Sequence, residues 1–226
     1  CRTRFEPASK LNAAAYTKAY APKKHGCLGC HILCKKISTK NKASIAMPEF
    51  ETMSHFTALI GCMDTTLVVK ANELCNHFGM DTISAASTLA CRREITGLDY
   101  TSKTLLSLLK DIAFGKGEGK LLGRGAKQYA KKMGQPQAAM AVKGMELPAY
   151  DPRGAYGMAL GYALSTRGGC HLRAYPISHE IFRKPVATDR FSFSGKARII
   201  KIAEDMNAIV DSLIACKFTF FAAGLE

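Results

Sequence analysis

An all-α, multihelical fold is what this sequence predicts, and three features carry the prediction. Several stretches space their apolar residues at helical intervals of three and four. Most of those stretches run into a glycine, the residue that most readily takes the left-handed turn closing a helix. Alternating apolar and polar runs, the mark of half-buried strands, are scarce.

In chain order, residues 1–26 read as an irregular or loosely helical lead-in, most helical over the Ala-rich Leu11–Ala19. A cysteine-bearing loop and a polar, Lys-rich passage to Asn41 follow. Pro48-Glu49-Phe50-Glu51-Thr52 looks like a helix start, with Pro and two acids in the favourable first turn. From Thr66, Leu67, Ala71, Leu74, Cys75 and Phe78 share a face, and Gly79 is the natural stop. Asp81-Thr82 then opens a helix with Ile83, Ala86, Leu89 and Ala90 on one side. Thr104–Phe114 and Leu121–Met133 are two more. Leu147-Pro148-Ala149-Tyr150-Asp151-Pro152-Arg153-Gly154 is a turn-rich boundary. Gly157–Ser165 reads as a short helix running into the loop Arg167–His171. Lys196–Ile214 reads as a long amphipathic helix burying Ile199, Ile200, Ala203, Ile209, Val210 and Leu213.

The 226 residues suffice for a sizeable core in one domain or two, and no apolar run reaches bilayer length. The nine cysteines are odd in number and unevenly spread, which favours a reducing interior and metal ligation over a disulfide scaffold. The chain opens on Cys1 and lacks a signal peptide's apolar core, so a cytoplasmic piece of a longer product is expected. A net charge of +14 raises nucleic acid or an anionic partner. The Lys and Arg look scattered, however, and no helix-turn-helix, finger or aromatic-basic platform occurs, so no nucleic acid and no membrane partner is expected.

The chemistry gathers at Cys27-Leu28-Gly29-Cys30-His31-Ile32-Leu33-Cys34. Thiols at C-x2-C-x3-C spacing can wrap one face of an inorganic cluster, and a cubane needs a fourth, for which Cys216 is the candidate. A structural zinc using His25 or His31, or ordinary buried thiols, would answer the same spacing. Cys62, Cys75, Cys91 and Cys170 read as small buried fillers, and His55, His77 and His179 show no ligand spacing.

Taken together, six ordered motifs resemble the C-terminal helical domains of the tungsten-containing aldehyde:ferredoxin oxidoreductases. They are the cysteine loop; Pro48-Glu49-Phe50-Glu51; Ala71-Asn72-Glu73-Leu74-Cys75 leading to Gly79-Met80-Asp81-Thr82-Ile83-Ser84; Leu147–Gly154; Arg167-Gly168-Gly169-Cys170-His171-Leu172-Arg173-Ala174-Tyr175; and Asp211-Ser212-Leu213-Ile214-Ala215-Cys216. The resemblance implies residues 1–141 as most of the family's second domain and 142–226 as the start of the third, with the β-rich N-terminal domain absent. It implies a 4Fe-4S cluster on Cys27, Cys30, Cys34 and Cys216, beside tungsten (or molybdenum) held by two pterins. His31 stands where the family usually has Pro.

The family's repeated D-x-x-G-L-[D/C] pattern, one copy per pterin, falls on Asn76–Asp81 and on Asp211–Cys216. Asn76 replaces its first acid, and Ile214-Ala215 replaces Gly-Leu. By resemblance Glu51 and His171 are the catalytic acid–base pair, with Glu49 a second candidate. Arg153 and Arg173 could contact pterin phosphate or an acidic substrate, although an exposed salt bridge is the commoner fate of such residues. The resemblance further implies an aldehyde substrate, ferredoxin as electron acceptor, and room for a homodimer in the full-length enzyme. A benzoyl-coenzyme A reductase-like subunit, and a basic binding module with a structural zinc or cluster, are the competing readings. Half of the cofactor's bed being missing, the isolated fragment is expected to be inactive.

Overall fold

The computed structural model describes residues 6–39 and 44–223 and divides into two units, Cys1–Met140 and Ala141–Glu226. Readings that fall on Cys1–Phe5, on the end of the Lys-rich passage at Asn41 or on the last residues, 224–226, lie outside the described residues.

The first unit begins with a 3-10 turn (Glu6–Leu11) and α1 (Ala13–Tyr20), whose first turn is capped by the Asn12 side chain. Three short strands follow where the sequence suggested loop: β1 (Lys23–His25), β2 (Lys35–Ser38) and β3 (Ile45–Ala46), antiparallel in the order β1-β2-β3. The Lys-rich β1 and β2 carry no apolar alternation, and backbone pairing makes the sheet. The buried Ser38 hydroxyl donates to the Tyr20 carbonyl at 2.5 Å, and the buried Asn72 amide donates to the Ala46 carbonyl at 3.1 Å. These two bonds tie the sheet to α1 and to the helical body.

That body holds α2 (Phe50–Ser54), a π-helical turn (His55–Leu59), α3 (Thr65–Phe78), α4 (Thr82–Thr96) and α5 (Ser102–Phe114). Asp64, Asp81 and Thr101 cap α3, α4 and α5 with side-chain oxygens, and Gly79, Gly97 and Gly115 close them in left-handed conformations. The expected helix Leu121–Met133 is two, α6 (Gly119–Leu122) and α7 (Ala126–Lys132). Gly125 at φ +86° breaks the run, yet Leu122 and Ala126 both stay buried, so the chain turns without exposing its apolar face. Phe56, Leu67, Val68, Ala71, Leu89, Leu105, Leu109, Leu122 and Tyr129 fill one core.

The second unit opens with the hairpin β4 (Ala141–Val142) and β5 (Met145–Glu146), followed by α8 (Tyr156–Leu164) and α9 (Ile177–Glu180). The long α10 (Lys196–Ser212) and α11 (Lys217–Ala223) complete it. The face of α10 differs from expectation: Ile200 and Val210 are buried, whereas Ile209 is 61 % and Leu213 65 % exposed. The helix is apolar on more than one side, so periodicity did not choose. Two polar residues take buried places instead. Lys196 pairs with Glu180 at 2.6 Å, both nearly solvent-free, and Asn207 accepts from Lys217 and donates to the Ala203 carbonyl. No helix among the described residues is long and apolar enough to cross a membrane.

Candidate functional site

The cysteine loop is the tip of the β1–β2 hairpin. Register pairs His25 with Lys35, so Cys27 and Cys34 flank the loop just beyond the last paired residues. The Cys30 N–H donates to the Cys27 carbonyl at 3.0 Å, and Gly29 at φ +74° permits that tight turn. Leu33, at φ +48°, reverses the chain on the other side. The thiols of Cys27, Cys30 and Cys34 are free, the outer two exposed and the middle one half-buried. Cys216, also free and exposed, lies between α10 and α11. Among the described residues no three His, Cys, Asp or Glu side chains converge as a metal site, the thiols of the tip included. Each of these four cysteines is a free thiol without a disulfide partner, the donor type an iron–sulfur cluster takes.

Within the first unit, two expected regions are joined. Glu51 lies in the first turn of α2 with its side chain mostly buried, and Asp81 caps α4, accepting from the Ser84 N–H at 2.8 Å. Their sequence neighbours Thr52 and Thr82 share a hydroxyl–hydroxyl bond of 2.8 Å, which holds the start of α2 against the start of α4. Sequence reading missed His55. It is buried, its Nδ1 lies 2.7 Å from the Glu51 carbonyl oxygen and 3.5 Å from the Glu51 carboxylate, and a carbonyl only accepts, so Nδ1–H donates. The i, i+4 spacing of Glu51 and His55 was the available signal, and a π-helical turn begins at His55. Glu49 is exposed and makes no side-chain cap bond.

The two copies of the repeated pattern form the same turn. After Asn76 the Gly79 N–H points to the Asn76 carbonyl (3.4 Å) and the Met80 N–H to that of Cys75 (2.8 Å), with Gly79 at φ +66°. After Asp211 the Ile214 N–H points to the Asp211 carbonyl (3.1 Å) and the Ala215 N–H to that of Val210 (3.0 Å), with Ile214 at φ +53°. Both helices thus end in one left-handed closure. In the second copy a β-branched residue carries a backbone conformation that favours glycine. Asn76 is exposed at the end of α3.

Asp211 accepts from Arg173 Nη1 and Lys217 Nζ, each at 2.7 Å. The Lys217 bond, followed by the charges of Arg173 and Arg167, holds its carboxyl below the usual carboxylate range. Sequence reading named Arg173 and Asp211 but neither their pairing nor Lys217. Arg153 folds back on Asp151 at 2.6 Å and keeps that carboxyl low in turn. An intraloop ion pair is therefore its present use.

His171 is positioned by a glycine pair. A Cβ on Gly168 would collide with the Val142 carbonyl oxygen, and one on Gly169 would lie 2.7 Å from that of Met145. Only a chain without side chains there can lie against the β4–β5 hairpin, and the Gly169 N–H bonds the Val142 carbonyl. The His171 ring faces Tyr150 at 5.6 Å and Tyr175 at 6.3 Å, and the two tyrosine hydroxyls are 3.1 Å apart. The Tyr162 hydroxyl fixes the Tyr150 backbone at 3.0 Å. Tyr150 and Tyr175 stand in two quoted motifs, yet nothing in spacing announced that they would meet. Of the expected fillers, Cys75, Cys91 and Cys170 are buried, whereas Cys62 is only half-buried.

The family model for aldehyde ferredoxin oxidoreductase, domains 2 and 3, matches residues 1–226. The tungsten-containing aldehyde ferredoxin oxidoreductase of Thermococcus kodakarensis is 34 % identical over 239 aligned positions, covering 98 % of this chain and 40 % of that protein. Its namesake in Pyrococcus furiosus is 33 % identical, covering 98 % of the chain and 39 % of the relative. That of Pyrococcus abyssi is 32 % identical over 98 % and 40 %. The chain thus spans about two fifths of the length of these relatives.

Proposed function

Because the chain belongs to the aldehyde ferredoxin oxidoreductase family, we propose that it forms part of a tungsten- or molybdenum-pterin enzyme oxidising aldehydes to carboxylic acids, with ferredoxin as electron acceptor. Residues 1–141 and 142–226 are assigned to the family's second domain and the start of its third. An aldehyde and a water become a carboxylic acid, two protons and two electrons. When bound, the bis-pterin metal supplies the electron-pair acceptor, and a 4Fe-4S cluster supplies the route by which single electrons leave.

The observation that carries this reading is the Thr52–Thr82 bond, which keeps the Glu51 and Asp81 segments adjacent. An acid for proton transfer and a carboxylate for a pterin's N–H groups are thereby held in one place. The Glu51 carboxylate accepts the proton of the water that adds to the carbonyl carbon, and His55, donating to the Glu51 backbone, stiffens that turn. His171, packed against two phenols that also touch each other, hydrogen-bonds the substrate oxygen. Asn76 and Asp81 serve one pterin and Asp211 the other, each at the end or start of a helix. Arg153 and Arg173 reach a pterin phosphate by exchanging Asp151 and Asp211 for it. Cys27, Cys30, Cys34 and Cys216 ligate the cluster.

The test is the full-length, anaerobically purified protein assayed for aldehyde oxidation with a viologen dye. Glu51→Gln is expected to abolish turnover and leave the tungsten content unchanged. Normal turnover in that variant would move the role to Glu49, and an unmodified protein without tungsten or dye-linked oxidation would remove the reading altogether.

A further inference from the structure

Lys217 directly follows Cys216 and is the first residue of α11. A helix start favours negative charge, so local preference argues against a lysine there. Its side chain is nevertheless held in place and mostly buried, 18 % exposed. The ammonium donates to Asp211 Oδ1 at 2.7 Å and to Asn207 Oδ1 at 2.9 Å, both on α10. Asn207 is buried, and its amide donates to the Ala203 carbonyl at 2.9 Å, which leaves its oxygen for the lysine.

Two features tie this cation to redox chemistry rather than only to the packing of α11 on α10. Asp211 opens the second copy of the repeated pattern and Cys216 closes it, and Lys217 reaches back from one end to the other. The first copy lacks such a cation: Asn76 is uncharged, and Asp81 is followed by Thr82. The lysine thus accompanies the copy that ends in a thiol. Charge is the second feature. Arg173 also donates to Asp211, so Arg173, Asp211 and Lys217 together carry one net positive charge beside Cys216.

We infer that Lys217 is a tuning residue for the cluster: tied to the Asp211 carboxylate, it holds a positive charge beside the Cys216 ligand and raises the cluster's reduction potential. This rests on the redox reading above and adds to it the residue that sets how readily the cluster takes an electron. A cluster on four thiolates is an anion, and accepting one electron adds one negative charge without making or breaking a bond. A fixed cation nearby favours that reduced form. Consecutive Cα atoms lie about 3.8 Å apart, so the ammonium is on the order of 10 Å from the ligand sulfur. At that separation one unit charge changes the reduction equilibrium by about tenfold at the effective dielectric of a protein surface.

The test is a redox titration of the cluster, followed by electron paramagnetic resonance, in the anaerobically purified full-length protein. Lys217→Met is expected to disfavour reduction by about tenfold, a fall of about 59 mV for one electron. Lys217→Arg keeps the charge and is expected to stay within about twofold of the unmodified protein. Asp211→Asn removes a negative charge from the same trio and is expected to move the potential upward. Lys201→Met removes an equal charge from an exposed ion pair with Asp205, about 15 Å along α10 from Asp211, and is expected to leave the potential unchanged. An unaltered potential in Lys217→Met, or an equal shift in Lys201→Met, overturns the proposal. So does a Lys217→Met protein that melts earlier at an unchanged potential, the mark of a purely structural lysine. Should Lys217→Met not fold, Lys217→Gln makes the same charge change with a hydrogen-bonding side chain and is held to the same fall. Iron and sulfide in the unmodified protein are measured first. Absence of a cluster there fails the redox reading, whereas a complete cluster whose potential ignores Lys217 fails this inference alone.

Discussion

Replacing Ile214 by glycine should stabilise the protein, although it deletes a large apolar side chain. Ile214 sits at φ +53° in the turn that closes α10, and it is 94 % exposed, so its removal forfeits almost no burial. An L-residue in the left-handed region costs about 1–2 kcal/mol, and a β-branched one lies toward the upper end. Glycine returns about 0.5–1 kcal/mol of this through the greater freedom of the unfolded chain. The net gain expected is about 1 kcal/mol, or about 2–4 °C in melting midpoint for a domain of 150–250 residues. The reciprocal change, Gly79→Ile at φ +66° in the equivalent turn, should lose about as much, since no atom within 4 Å of its added Cβ compensates. Thermal or urea melts of the full-length protein and both variants read the pair directly. A neutral or destabilised Ile214→Gly, together with a tolerated Gly79→Ile, would refute the shared turn and with it the structural equivalence of the two copies of the repeated pattern.

Three further outcomes are expected. Gly169→Ala should cost more than about 2 kcal/mol in melts and displace His171, because its Cβ meets a backbone oxygen that cannot swing aside. Glu180→Ala should cost about 3–5 kcal/mol, since it strands the buried Lys196 ammonium, whereas Glu180→Ala combined with Lys196→Met should recover most of the loss. Burial, then the charge of Asp81, pushes the Cys75 thiol up to about 12, so at pH 8 its alkylation should be about a thousandfold slower than that of an ordinary thiol. For the same reason Cys75 favours folding less as pH rises past the ordinary thiol range: the unfolded chain ionises there and the folded chain does not. That appears as a falling midpoint in alkaline melts relative to Cys75→Ala.

Legibility in the sequence followed the range of the interaction. The caps at Asp81 and the stops at Gly79 and Gly115 were readable because each is settled within four residues by hydrogen bonds and backbone sterics. The break at Gly125 was not, because Leu122, Ala126 and Tyr129 keep a helical spacing across it. The hairpin strands were hidden because Lys-Lys-His and Lys-Lys-Ile-Ser carry no alternation, and what builds them is pairing across the cysteine loop. At the candidate site, individual residues stood out by motif, but their pairings did not. Thr52 meets Thr82, Arg173 meets Asp211 and Tyr150 meets Tyr175 across 25 to 38 residues, and composition holds no trace of such meetings. The burial of Lys196 was equally hidden, since its partner Glu180 lies on a helix of one turn that periodicity cannot register.

The four-thiolate cage is the claim on which the redox reading stands, and its late member decides it. Iron and acid-labile sulfide analysis with Mössbauer spectroscopy of the anaerobically purified full-length protein and its Cys216→Ala variant tests it most directly. One complete 4Fe-4S complement in the unmodified protein, lost or reduced to a three-iron cluster in the variant, is the predicted result. An unaltered cluster in Cys216→Ala would contradict it.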